Sequence, residues 1–545
     1  MQLCIFLASL VVGAYGQTWC GKHYMENSTV VEPGGEFPTT ETSNEPLISF
    51  RCAPAIKPYL QEDTEGSIII DTQITHSKVF GTSPIKAPDS ISELRLLISV
   101  NGHALASGSI PLNSTAQEVQ IPLESLTPQK EAFDIECTVV TSDGQEFRSN
   151  TTLLRLPDRN DGGSVTKMDS RTGALLVRDN KTGAWNPLFA LGFYTSFSDY
   201  LATNLSVLND LKERGFTIVH PVPDFDNQTA LNEVLDRMEE VGLYLMYDMR
   251  FTYMNLTSVT EQVNMIKSRK NLLLWYTGDE PDGTSDPLNA TTITYDLINE
   301  LDGYHPVSLV LNCQNYFFPE YTAGTDVVMQ DAYPISINAT FSVEWHTPCT
   351  PDYGDCGCDN CNGDFFDIST RMDEFSERLD ILGWRRTKTV WAVPQAFGGS
   401  EYWARAPTGN EWLVEAVLSI NHGAKGIVPW IDPTPPDIKN TSTILAQALP
   451  TITPFLFDPT VTFTPLKQNF IDAGLWRTES RTLLLAANLF NASATYTVSL
   501  PDDSIIHTTQ VFSSGGSLRV VGSKMTLNLD PLGAVGFIIE DVSTQ

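Results

Sequence analysis

Between residues 185 and 450 the sequence switches eight times between a short apolar run and a longer amphipathic segment. No other feature limits the possible folds as strongly, because strands alternating with helices of this length imply parallel pairing through crossover helices. The apolar runs are 187–194, 216–222, 243–248, 272–276, 306–312, 326–334, 389–395 and 424–432. Between them apolar residues recur at helical spacing, as Leu205, Leu208 and Leu211 do within 201–215. Leu272, Leu273, Leu274 and Trp275 show no alternation, the mark of a strand buried on both faces. Eight strand-plus-helix units in about 265 residues match the size of a (β/α)8 barrel.

The flanks read differently. Residues 17–160 carry short alternating runs at 67–71, 93–99 and 118–122, separated by turn formers such as Asn101-Gly102 and Asp143-Gly144. This predicts an N-terminal β-sandwich, with a Cys20–Cys52 bridge as one pairing. Residues 161–184 form a linker and hairpin lead-in, 185–450 the barrel, and 451–545 a smaller β-sandwich built on runs at 482–488, 494–500 and 534–540. The expected class is α/β: a (β/α)8 TIM barrel flanked by N-terminal and C-terminal β-sandwich domains.

Residues 1–16 form a short apolar core ending in Ala14-Tyr15-Gly16, the pattern of a secretory signal, although no Lys or Arg precedes it. No other run nears the roughly 18 apolar residues of a membrane span. Removing Cys4 with the signal leaves eight cysteines, and eleven Asn-x-Ser/Thr sequons are spread over the chain. A secreted, extracellular, disulfide-bonded glycoprotein is expected. The 34 basic and 66 acidic residues give a net charge of −32, a field that disfavours nucleic acid and anionic membranes as partners. The 41% apolar content and 10 tryptophans exclude reading that charge as disorder. Oligomeric state stays open.

In a barrel, function gathers at the carboxyl ends of the strands. Here those ends carry Tyr194, His220, Asp248, Tyr276, Asp279, Glu280, Asn312, Gln314, Gln330, Asp331, Tyr333, Gln395, Trp430 and Asp432, with Tyr247, Trp391 and Trp403 as further aromatic surface. Carboxylates, amides and flat rings together are the lining of a sugar site, where rings cover C–H faces and polar groups take hydroxyls. The acidic pair Asp279-Glu280 ends the fourth run, and Pro281 is expected to hold Glu280 extended. The insertion Cys349-x6-Cys356-x-Cys358-x2-Cys361 has no zinc spacing and is expected to form disulfides. Phosphate loops, dinucleotide fingerprints, serine-hydrolase elbows and calcium loops are absent from the sequence, and neither metal nor cofactor is expected.

The stretches 163–178 and 185–194 resemble the lead-in of multidomain glycoside hydrolases, and residues 160–545 as a whole resemble retaining barrel glycosidases. That resemblance implies Glu280, in Asp-Glu-Pro, as the general acid. It also exposes a departure, since the clan's nucleophile is a Glu ending the seventh strand and this chain has Gln395. Two schemes restore a second group. Asp279-Glu280, Tyr333 and Trp430 resemble the set of hexosaminidases whose substrate acetamido group attacks while the Asp orients it. Alternatively Asp331 or Asp432 serves as nucleophile or base, with a carboxyl gap of about 5 Å for retention or about 6.5–9.5 Å for inversion. A catalytically inactive carbohydrate-binding protein on the same scaffold is the reading from another class, and a structural wall or surface protein is a third.

Overall fold

The computed structural model describes residues 18–26, 34–179, 181–468, 470–499, 506–522 and 524–541. The signal expected at residues 1–16 and the sequons at Asn27 and Asn180 lie outside these. At the centre is a closed parallel barrel. Its strands are Ile218–Val222, Tyr244–Asp248, Leu272–Asp279, Val307–Leu311, Val327–Gln330, Thr389–Ala392 and Gly426–Ile427, plus a first strand in two pieces. Ala190–Leu191 pairs with strand eight and Tyr194–Ser196 with strand two, which closes the ring. Gly192 joins the pieces, and a Cβ there would lie 2.0 Å from the Ile218 carbonyl oxygen, so only glycine permits this approach.

The first run begins later in the barrel than the sequence suggests. Trp185–Leu188 is instead the edge strand of an antiparallel sheet with Ala174–Arg178, Thr166–Asp169 and Ile56–Lys57. Pro187 explains the assignment, since a residue without an N–H is tolerated at an edge.

The barrel interior packs Ile218, Met246, Leu274, Met329, Trp391 and Val428 into one cluster, and the outer strand faces meet the helices through another. The helix Gly409–Asn421, begun by a Thr408/Glu411 capping box, is buried along nearly its whole length. It is apolar on most sides because the C-terminal sheet covers the face that the barrel does not: Asn421 Nδ2 donates to Asp472 Oδ1 at 2.8 Å, and His422 bonds the same carboxylate.

N-terminally, two four-stranded antiparallel sheets enclose Ile48, Phe50, Ile68, Ile70, Leu94, Leu96, Ile98, Ile135 and Val139. Strand Glu93–Val100 alternates exposed and buried residues over most of its length, as a half-covered sheet requires. C-terminally, a five-stranded and a three-stranded antiparallel sheet pack through Leu475, Leu484, Leu527 and Phe537. Ion pairs dock the N-terminal sheets onto the barrel's lower end: Lys57 with Asp326 at 2.5 Å and Arg386 with Asp71 at 2.8 Å.

Among the described residues three disulfides form, Cys20–Cys313, Cys349–Cys356 and Cys358–Cys361. Cys20 therefore does not bridge to Cys52. Cys52 stays a buried free thiol beside Cys137 in the sandwich core, because Cys20 lies on a short N-terminal strap docked on the barrel's upper face. No helix of the described residues is long and apolar enough to cross a membrane.

Candidate active site

Strand four, Leu272–Asp279, ends at a pocket of about 190 Å3 at the barrel's upper face. Tyr194, Asp279, Glu280, Val310, Asp331, Tyr333, Phe397, Glu401, Trp403 and Trp430 line it. A larger cavity of about 700 Å3 opens at the other end of the barrel, lined in part by Arg159, Trp185 and Lys270, away from this carboxylate cluster.

Glu280 does not adopt the extended shape expected before Pro281. Its φ is +51°, left-handed, which is strained for a side chain with a Cβ. A tertiary bond outweighs the local preference: the Glu280 N–H donates to the Val310 carbonyl at 3.1 Å on neighbouring strand five. Strain of this kind, on the order of 1–3 kcal/mol, persists where surrounding structure fixes it and concentrates at functional sites.

The Glu280 carboxyl accepts from Asn312 Nδ2 at 3.1 Å and lies in hydrogen-bond contact with Asp331, to which the same amide reaches at 3.5 Å. Two carboxyls in contact share a proton, since both cannot ionise cheaply. Burial pushes Glu280 up to about 7, the charges of Asp279 and Asp355 adding and the bonds from Asp331 and Asn312 opposing. Burial and the neighbouring Glu280 raise Asp331 well above the carboxylate range. Asp279 stands beside them, held by Arg250 Nη1 at 2.7 Å and by the Tyr276 hydroxyl. Burial raises it, with Arg250 pulling the other way.

The aromatic wall is built by hydrogen bonds as well as packing. Trp403 donates its indole N–H to the Tyr333 carbonyl at 2.9 Å, and Phe397 meets both rings edge-on. Trp430 packs edge-on against Tyr194.

Of the strand-end residues named from sequence, Tyr194, Asp279, Glu280, Asp331, Tyr333 and Trp430 thus meet in one pocket. The others stand behind it. His220 is fully buried, pairs with Asp248 at 2.7 Å and lies against the Tyr194 ring, while Asp248 also holds Arg250 at 2.8 Å. Tyr276 is buried and acts on Asp279, and Asn312 on the Glu280–Asp331 pair. Gln330 folds back to accept from the Ala332 N–H. Gln395 spends its amide on the backbone of Ile335 and Phe397. Asp432 is buried against Lys439 at 2.6 Å, outside the pocket, which removes it from contact with a substrate there. Gln314 serves Glu374, and Tyr247 and Trp391 belong to the core rather than to a sugar-facing surface.

Three charged contributors escaped the sequence reading, as did the apolar Phe397 and Val310. Arg250 lies two residues past strand three, with its guanidinium over Tyr194, Tyr276 and Trp430 at 5.3, 5.5 and 4.9 Å. Glu401 enters from the loop after strand seven, and Asp355 from the cysteine-rich insertion, where Tyr402 donates to it at 2.5 Å. The only sequence signal for Glu401 was its place beside Trp403 in a Gly-rich loop. Among the described residues no cluster of His, Cys, Asp and Glu has a metal-holding arrangement.

No family model and no curated protein sequence matches the chain. Solved structures do align with it. An endoxylanase from Clostridium papyrosolvens shares 11% identity over 65% of this chain and 96% of its own, with a TM-score of 0.39. An α-amylase from Geobacillus thermoleovorans, complexed with acarbose, shares 9% over 65% and 98%, at 0.41. A Bacteroides vulgatus protein provisionally described as a glycoside hydrolase shares 10% over 89% and 100%, at 0.45. Similarity this distant says nothing of substrate, and the barrel stands on its own hydrogen bonding.

Proposed function

We propose that this protein is a secreted glycoside hydrolase cleaving O-glycosidic bonds of a poly- or oligosaccharide, with Glu280 as general acid. One observation carries the reading: a half-buried carboxyl raised to about 7, at the end of barrel strand four, faces a pocket walled by Tyr333, Trp403 and Trp430. A carboxylic acid that stays protonated at mildly acidic pH can give its proton to the leaving glycosidic oxygen. The volume of about 190 Å3, below the roughly 300 Å3 where drug-sized sites begin, suits a single sugar ring.

Asp331 lies in hydrogen-bond contact with Glu280, and each bears on the other's protonation. Its part in this arrangement is to set the protonation of the acid. Attack then falls to the substrate's own acetamido group, oriented by Asp279, or to a water or glycosyl-enzyme route through Glu401. Asp279 suits the orienting role because Arg250 and Tyr276 fix its carboxylate from behind.

The test is hydrolysis by the wild type and Glu280→Gln across aryl glycosides and cell-wall glycans, N-acetylhexosaminides included. The reading predicts cleavage of at least one substrate and a loss of about 100-fold or more in the variant. Glycan binding without cleavage by either protein would replace it with a carbohydrate-binding function.

A further inference from the structure

A short strap formed by residues 18–26 crosses the upper face of the barrel next to the carboxylates. Thr18–Trp19 pairs with Lys22–His23, and the strap is anchored on three sides. Cys20 is disulfide-bonded to Cys313, Lys22 pairs with Asp359 at 2.5 Å, and the His23 carbonyl accepts from the Gly354 N–H at 2.5 Å. The Asp279–Gly283 stretch makes room for it: a Cβ on Gly283 would lie 2.5 Å from Trp19 Cζ2. From that position the Trp19 indole N–H donates to Asn312 Oδ1 at 3.0 Å.

An indole N–H can only donate. The asparagine atom facing it must therefore be the oxygen, and the NH2 is forced toward Glu280 and Asp331. We propose that Trp19 is a positioning residue: it locks the Asn312 amide so that its NH2 faces the Glu280–Asp331 pair, and the Cys20–Cys313 bridge holds the lock in place. Without it the amide is free to turn, presenting its oxygen to the carboxyls. An acceptor there favours the protonated form, whereas a donor favours the charged one.

Other charged groups also bear on Glu280. Asp279 and Asp282 come from its own segment, Asp331 and Tyr333 from the strand-six end, and Asp355 from the insertion. Glu401 shares the pocket, and Arg250 acts through Asp279. None of them contacts the Trp19 indole nitrogen, so Trp19→Phe, which keeps a ring beside Gly283, isolates the N–H. Asn312 gives the second background, since an effect carried by the amide must vanish once the amide is gone.

This inference rests on the Glu280 reading for its catalytic meaning, but its primary test needs no substrate. Carboxyl titration of Glu280 is followed by 13C NMR in the full chain carrying labelled glutamate, with Glu280→Gln for assignment. In Trp19→Phe the Glu280 midpoint should rise by about 1 unit, tenfold in its proton equilibrium. The same substitution in Asn312→Ala should add no shift. Gly283→Ala, which displaces the indole, should reproduce the rise, so a poorly folding Trp19→Phe does not end the test. An unmoved midpoint in either folded variant, or an equal shift with and without Asn312, overturns the proposal. A shifted midpoint in a protein that cleaves no glycan leaves the positioning intact and removes only the hydrolase reading.

Discussion

Arg250 holds two carboxylates of the site, and its removal has a computable cost. Its Nε meets Asp248 Oδ2 at 2.8 Å, its own backbone N–H meets Asp248 Oδ1 at 2.7 Å, and Nη1 meets Asp279 Oδ2 at 2.7 Å. The side chain is 3% exposed and Asp248 0%. Arg250→Met keeps much of the apolar stem but leaves Asp248 with His220 and one backbone donor, and Asp279 with the Tyr276 hydroxyl. Breaking a buried pair by deleting one partner costs about 3–5 kcal/mol. For a barrel-sized unit, about 2–4 °C per kcal/mol, that lowers Tm by roughly 6–20 °C. Although burial opposes ionisation of Asp248, Arg250 and His220 hold its carboxyl below the usual range. A depressed carboxyl contributes stability above its unfolded pKa of about 3.9 and loses it as the pH falls through the folded value. In Arg250→Met the orphaned carboxyls rise and accept protons at higher pH. The gap between variant and wild type is therefore full at pH 7 and narrows on acidification. Calorimetry of both proteins from pH 7 to 4 reads this directly. A Tm change under about 2 °C at pH 7, the effect of roughly 1 kcal/mol or less, or a gap that does not narrow, would refute the reasoning.

Two further outcomes follow from the pocket. The kcat/KM profile on the substrate found should lose activity as pH rises past about 7, where Glu280 gives up its proton. In Asp331→Ala the bond that holds Glu280 down is lost, so that alkaline limb should move to higher pH; an unmoved limb would detach Asp331 from the acid. Glu401→Gln separates the two schemes for the second group: substrate-assisted attack leaves kcat within about tenfold of wild type, whereas loss of a nucleophile or base costs on the order of 100-fold or more.

The barrel was legible because each strand announces itself by an apolar run and each helix by its spacing, signals that are local in the chain. The site was legible only in part, for geometric reasons. A strand-end rule gives a residue's height along the barrel but not whether its side chain turns into the pocket. Glu280 and Tyr333 turn in, whereas Gln330 and Gln395 are taken up by neighbouring backbone. Glu280's left-handed backbone was hidden because Pro281 is a local signal and the bond to Val310 is not. Arg250, Asp355 and Glu401 lie on loops, where no periodicity marks direction. The Cys20–Cys313 bridge spans 293 residues, beyond any spacing argument.

The most direct measurement of the central claim is the leaving-group dependence of Glu280→Gln. A general acid matters in proportion to how poorly the leaving group departs unaided. With a series of aryl glycosides of rising leaving-group pKa, the account predicts a variant close to wild type for the most acidic phenols. For the least acidic, and for natural sugar leaving groups, the variant should fall about 100-fold or more below. A uniform loss across the series would mean that Glu280 does something other than deliver that proton.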